Sequence, residues 1–319
     1  MCQAGIQIEI TNHCHNKCSN CTRLVGHHKK PYFMEVAYFK SCVDSMYGGG
    51  KGSKTYWPGI VGFLGGEPLL HPEFTKLCEY AAGKFPKEQL GLWTCMPTGF
   101  EHYREVICNT FAHIFINDHT RTDVLHTPIL VHPSSIGLEP WQVSYVQDKC
   151  WVQNSWSATM NTRGAFFCEV AGALCMLTGE GRGWKVEPGW WQKSPRHFTT
   201  QIDKFCSMCG AAFPMIRRES VQGIDDVCPW WEGRLKALGS PKYKAGRTTA
   251  ANLTLTQDTR QTATYKDMDY REGVARRYGI FLLTNAQGYC QPYLRKAWDK
   301  AKEEQRQSVP LLSRLKGDY

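Results

Sequence analysis

Isoleucine occupies every second position of Ile6-Gln7-Ile8-Glu9-Ile10, a period-2 alternation that predicts a strand. Ile60-Val61-Gly62-Phe63-Leu64 is apolar throughout and predicts a buried strand. Leu90 to Met96, His113 to Asn117 and Ile129 to His132 predict further strands. Helical stretches fall between them: Met34 to Tyr47 is amphipathic, Pro72 to Phe85 has a proline in its first turn and Pro86 beyond its end, and Tyr103 to Thr110 and Trp141 to Asp148 follow. Strand and helix in alternation imply an α/β fold with a parallel sheet and right-handed crossovers. The glycine run from Gly48 to Gly52 ends the first helix and lacks the spacing of a phosphate-binding P-loop.

The pattern changes near residue 149. Ser157 to Phe167 predicts a hairpin turning at Asn161-Thr162-Arg163-Gly164, and Glu169 to Leu177 and Thr200 to Lys204 predict helices. Beyond Cys228, Trp230 and Trp231 precede a helix from Gly233 to Leu238, and Gly239 to Arg247 forms a basic loop carrying Tyr243. Thr248 to Thr264 is polar with little periodicity, while Asp269 to Tyr278 and Pro292 to Gln305 predict helices. The chain divides into a strand–helix domain over 1–148, a cysteine-bearing segment over 149–228 and a basic extension over 229–319. The extension reads as a surface that packs over the open edge of the sheet.

With 319 residues, 42% of them hydrophobic, the chain can fill a large interior. No apolar run is long enough to span a bilayer and no export signal opens the sequence, so no membrane partner and a cytoplasmic location are expected. Fifteen cysteines, an odd number in a long chain, fit metal ligation better than a disulfide framework. The formal charge of +9 permits a polyanionic or phosphorylated partner, and solubility alone also accounts for it.

The candidate chemistry begins directly after the first strand, where Cys14, Cys18 and Cys21 follow the spacing C-x3-C-x2-C. Thiolates suit zinc and iron–sulfur clusters, and a 4Fe-4S cube normally takes four of them. Three would leave one iron open. The motif resembles that of the radical S-adenosylmethionine superfamily, and Gly65-Gly66-Glu67-Pro68, at the end of the second predicted strand, resembles that family's GGEP segment. The resemblance implies a partial (β/α)6 barrel whose catalytic 4Fe-4S cluster is held by Cys14, Cys18 and Cys21. It also implies S-adenosyl-L-methionine bound at Gly65, Gly66, Glu67 and Pro68, the Glu67 carboxylate helping to hold its ammonium group, and a reductant such as flavodoxin or ferredoxin. Asn20 departs from the family, which often has an aromatic residue before the third cysteine. The alternative is a structural zinc site in which His13 and His15 join the cysteines.

In such barrels ligands lie beyond the carboxyl ends of the strands. That selects Thr98 and Gly99, Asn117 and Asp118, and His132 and Ser134. By resemblance, Asn117 or Asp118 would meet the ribose or the methionine carboxylate. Asp118, His132 and Cys95 are candidates for proton or hydrogen transfer by position alone.

Cys150, Cys168 and the pair Cys206-Ser207-Met208-Cys209 resemble the twitch module, a shortened relative of the SPASM domain, which implies a second 4Fe-4S cluster on Cys150, Cys168, Cys206 and Cys209. Cys175 and Cys228 are the reserves. The alternative is that Cys150, Cys168 and Cys175 are ordinary buried cysteines and that Cys206 with Cys209 binds zinc or nothing. Cys42, Cys78, Cys95, Cys108 and Cys290 read most simply as core, with Cys95 close enough to a strand end to face the cavity.

The resemblance implies radical hydrogen abstraction. The compact length and basic extension are similar in layout to phage-encoded members acting on thymine in DNA, so a nucleotide or DNA-linked group that is rearranged or modified is the leading expectation. A peptide maturase is the second, although many of those begin with a leader-binding domain and here Ile6 already opens a strand. A zinc-stabilised nucleic-acid-binding protein without catalysis is the third.

Overall fold

The strand β1 (Gly5–Thr11) is buried along its whole length and has a paired strand on each side. The structure, a computed structural model, describes residues 5–250 apart from 118, 120, 149, 151, 153–157 and 194, together with 253, 255, 281–284 and 290–293. β1 runs parallel to β2 (Ile60–Gly65) on one side, and β2 to β3 (Leu90–Thr94) and β3 to β4 (His113–Ile116) continue the parallel order. The short β5 (Leu125–His126) lies outside this sheet. On its other side β1 pairs in parallel with β6 (Ala158–Asn161), which turns back antiparallel into β7 (Gly164–Phe166). The hairpin expected in the cysteine-bearing segment is thus part of the main sheet.

Helices α1 (Val36–Tyr47), α2 (Phe74–Ala82) and α3 (Arg104–Thr110) supply the crossovers. Phe39, Cys42, Val43 and Met46 of α1 and Phe74, Leu77 and Cys78 of α2 pack with Ile6, Ile8 and Ile10 in one core. Alternation along β1 sends Gln7 and Glu9 to the opposite face, where they are also buried. The fold is α/β, its sheet mostly parallel as a partial barrel requires.

The predicted strand Ile129 to His132 is not formed. That apolar run lies between Pro128 and Pro133 and is buried as irregular chain, the Ile129 carbonyl accepting from the Gly210 N–H at 2.8 Å and the Leu130 carbonyl from the Cys228 N–H at 3.2 Å. A short apolar run is buried wherever its backbone groups find partners, and here the partners are loops. Ile129, Leu130 and Val131 instead join a second core with Phe166, Phe167, Leu174, Phe205, Phe213 and Trp231. Helices α4 (Pro140–Asp148), α5 (Glu169–Thr178), α6 (Pro195–Cys206) and α7 (Pro229–Leu238) accompany it.

The strand β8 (Arg218–Glu219) pairs with β5, and β9 (Asp225–Asp226) with β10 (Thr248–Thr249). Part of the basic loop forms the single turn α8 (Pro241–Lys244). The predicted helix Asp269 to Tyr278 lies outside the described residues. Phe281–Thr284 forms β11 and Cys290–Tyr293 forms β12, so Pro292 and Tyr293 belong to a strand and not to a helix start. β12 pairs antiparallel with both β4 and β11, and β11 ends the sheet. Among the described residues no helix is long and apolar enough to cross a membrane.

Candidate functional site

The loop that leaves β1 is a closed excursion. The Met34 N–H returns to the Ile10 carbonyl at 2.8 Å and the Tyr32 N–H to the Asn12 side chain at 2.8 Å, so the chain from 12 to 33 is pinned at its base. Its opening is held against the end of β2: the Gly66 N–H donates to the Thr11 carbonyl at 2.7 Å and the Glu67 N–H to the His13 carbonyl at 2.8 Å. A Cβ on Gly65 would stand 2.0 Å from the Thr11 oxygen, and one on Gly66 2.2 Å from the His13 oxygen. Both glycines are needed for this approach, which is shorter than any side chain allows.

Cys14, Cys18 and Cys21 line one cavity of about 280 Å³ with Gly65, Gly66, Glu67, Cys95 and Asn117. Burial pushes the Cys14 thiol up to about 12, and the nearby Cys21 and Glu67 add to it. Burial raises Cys18 and Cys21 likewise, with Cys14 and Cys21 each disfavouring a charge on Cys18. Trp93 stacks on Phe115, ring centroids 4.0 Å apart, and also lines the cavity.

The Glu67 carboxylate, which lines the cavity, is also held by the protein itself. Its Oε1 accepts from the Thr94 hydroxyl at 2.7 Å and the Leu69 N–H at 3.0 Å; its Oε2 accepts from the Cys95 N–H at 2.9 Å and the Cys95 thiol at 3.0 Å. Four donors occupy the group, which ties the end of β2 to the end of β3. Pro68 opens the short turn that Glu67 caps.

The remaining strand-end residues divide. Asn117 lines the cavity and its N–H donates to the Thr94 carbonyl at 3.0 Å. Thr98 is exposed in a turn, and His132 and Ser134 bond to each other at 2.7 Å, His132 lying against Trp230 at 4.9 Å between ring centroids. None of these three lines the cavity, because the strand expected to deliver His132 and Ser134 is absent. Asp118 lies outside the described residues.

Asn20, the departure from the family pattern, has a structural role. Its φ of 49° is left-handed, a conformation that asparagine tolerates. Its backbone N–H donates to Asp225, its Nδ2 donates to Asp226 Oδ2 at 2.9 Å and its Oδ1 accepts from the Asp226 N–H at 2.8 Å. Lys242 turns inward beside it, its Nζ donating to the Cys18 carbonyl and to Asp225 Oδ1, each at 2.8 Å. His27 completes the clasp, 2.5 Å from Asp225 Oδ2.

Sequence reasoning missed four further charged or titratable residues that line the cavity: Arg23, Glu169, His119 and His126. Arg23 stands two positions after Cys21 and Glu169 one after Cys168, a proximity to ligand-type residues that was the only available signal. Burial holds His126 below its usual pKa, with its Nδ1–H on the Ser19 carbonyl at 2.7 Å, and pushes His119 down to about 3.

The second cysteine set is brought together. Burial raises Cys168, Cys206 and Cys209, and in each case other members of the set add to the rise: Cys150 and Cys209 for Cys168, Cys168 and Cys150 for Cys206, Cys206 and Cys150 for Cys209. The reserves lie apart from this mutual coupling. Cys175 is near Arg163, and the Cys228 sulfur accepts from the His132 N–H at 3.2 Å. Among the described residues no group of three or more His, Cys, Asp or Glu side chains is already placed to hold a metal ion. The donor chemistry of the two cysteine sets, thiols in each, suits an iron–sulfur cluster or zinc.

No family model matches the chain, and no curated protein matches it. The fold is similar to the crystal structure of BtrN in complex with AdoMet and 2-DOIA, with 14% identity, a TM-score of 0.43 and coverage of 65% of this chain and 89% of that one. It is also similar to selenomethionine BtrN in an open conformation, with 16% identity, a TM-score of 0.39 and coverage of 72% and 91%.

Proposed function

We propose that the protein is a radical S-adenosylmethionine enzyme that abstracts hydrogen from a nucleotide or DNA-linked group and so modifies it. The observation that supports this most is the meeting of Cys14, Cys18 and Cys21 with Gly65 and Gly66 around one cavity at the carboxyl ends of parallel strands. A 4Fe-4S cluster on the three thiols would supply the electron that cleaves S-adenosylmethionine to a 5′-deoxyadenosyl radical.

The chain's own residues do the positioning. Gly65 and Gly66 let the cysteine loop and a ligand share the end of β2, and Glu67 holds the Thr94–Cys95 end of β3 rigid. Asn117 offers an amide to a polar ligand group. Trp93 and Phe115 help to keep water from the cavity. Cys150, Cys168, Cys206 and Cys209 would hold a second cluster, and a flavodoxin- or ferredoxin-type protein would deliver electrons.

Iron and sulfide content after anaerobic reconstitution tests the reading, with 5′-deoxyadenosine formation assayed on the same samples. About eight irons, falling to about four with loss of activity in Cys14→Ala/Cys18→Ala/Cys21→Ala, is expected. About four falling to none would keep the radical enzyme and remove the second cluster. Zinc in place of iron, with no 5′-deoxyadenosine, would overturn the reading.

A further inference from the structure

A second cavity, of about 430 Å³, adjoins the first, and the two share Asn16, Cys18 and His119 as a common wall. Its size is that of a small-molecule site. Lys17, Lys242 and Arg247 line it, and none of its described lining residues is a carboxylate. Lys17 and Arg247 are exposed and form no ion pair with a described residue. Lys242 commits two of its three donors to the Cys18 carbonyl and Asp225. The one carboxylate behind it, Asp225, is itself bonded to His27, Asn20 and Lys242, so the charge left facing the cavity is positive.

Three cations, Lys17 on the cysteine loop and Lys242 and Arg247 on the basic loop, surround a concave space, Lys17 and Arg247 without an ion pair to a described residue, and make a seat for a doubly charged oxyanion. We propose that this cavity binds the phosphate groups of the substrate through Lys17, Arg247 and Lys242, while the reacting part of the same molecule reaches the cysteine cavity past His119. The assignment rests on the proposed function for the chemistry, and on the cation set alone for binding. A free nucleotide and the backbone of a polynucleotide would present the same phosphate chemistry.

The test is equilibrium binding to the full chain, reconstituted anaerobically with S-adenosylmethionine present. The probes are pyrophosphate, uridine diphosphate, uridine and a fluorescein-labelled single strand of about ten nucleotides. Pyrophosphate and uridine diphosphate should bind with an affinity that falls as salt rises, and uridine should not. Lys17→Gln and Arg247→Gln should each weaken binding on the order of ten-fold, and Arg247→Lys should restore most of it. The oligonucleotide displaced by pyrophosphate would identify a polynucleotide as the source of the phosphate; uridine diphosphate binding without the oligonucleotide would identify a free nucleotide. Salt-dependent binding by the wild type is read independently of any variant's folding.

Failure of the wild type to bind any phosphate probe, or wild-type affinity in both Gln variants, would overturn the proposal. If the wild type forms 5′-deoxyadenosine yet binds no phosphate probe, only the phosphate seat falls. If binding depends on Lys17 and Arg247 while no 5′-deoxyadenosine forms, the seat stands and the radical reading falls.

Discussion

Arg23 Nη2 stands 3.2 Å from Glu169 Oε1, while its Nη1 lies 3.4 Å from Glu9 Oε2, and all three side chains are buried. The guanidinium joins the cysteine loop, the central strand and the start of α5, close to both Cys21 and Cys168. Arg23→Met would leave two carboxylates buried without their cation. Breaking a pair of this kind costs about 3–5 kcal/mol, so a lower urea midpoint is expected. Adding Glu9→Gln and Glu169→Gln should recover part of the loss, because the uncompensated charges are then gone.

Gly66→Ala should disorder the cysteine loop, since the new Cβ would lie 2.2 Å from the His13 oxygen and 2.9 Å from the Cys14 Cβ. Iron incorporation is the measurement, and it should fall well below wild type. Gly233→Ala is the contrast. That residue sits in α7 with nothing within 4 Å of the added carbon, so the change should leave iron unaffected and stabilise by up to about 1 kcal/mol.

Glu67→Ala should cost stability as well as ligand affinity. It strands the Leu69 and Cys95 N–H groups and the Thr94 hydroxyl, at about 1–3 kcal/mol for a buried group left unsatisfied. Thermal melting of the unloaded protein checks this. A melt equal to wild type would mean that the carboxylate serves only the ligand.

Acid should destabilise the protein in two stages. Burial, with the neighbouring His126 ring, pushes His119 down to about 3, and burial lowers His126 too. These rings are neutral when folded, whereas in the unfolded chain they gain a proton near pH ~6.5. Their contribution is therefore full above about pH 6.5 and is lost as pH falls toward the folded value. Asp225 acts lower: burial raises its carboxyl, but His27 and Lys242 together bring it below its usual value. Its contribution is present above about pH 3.9 and is lost as pH falls through the folded value. Urea midpoints between about pH 8 and 5 should drop for the wild type and flatten in His119→Gln.

The strands of the parallel sheet were legible where local period and neighbours agreed, as in β1, β2 and β4. Ile129 to His132 was not, because an apolar run of four residues carries no period, and its backbone partners, Gly210 and Cys228, lie far along the chain. The misreading carried His132 and Ser134 with it. Glu67 was placed in its motif without its protein partners, since two of its donors come from the end of β3, which the motif does not contain.

By itself the sequence determined the order of strands and helices through β4, the three thiols after the first strand and the glycines that must follow the second. Periodicity, turn chemistry and ligand spacing are local properties, and they survive in a linear string. Only the tertiary structure decided which polar groups are buried and what they hold. Asn20 meets Asp226 across 206 positions, and Lys242 meets the Cys18 carbonyl across 224. The cavity of Lys17 and Arg247 exists only because these contacts fold the chain's far segment back onto the cysteine loop. No residue pattern within either segment specifies its distant partner; burial of charge without that partner would cost too much for the contact to be optional.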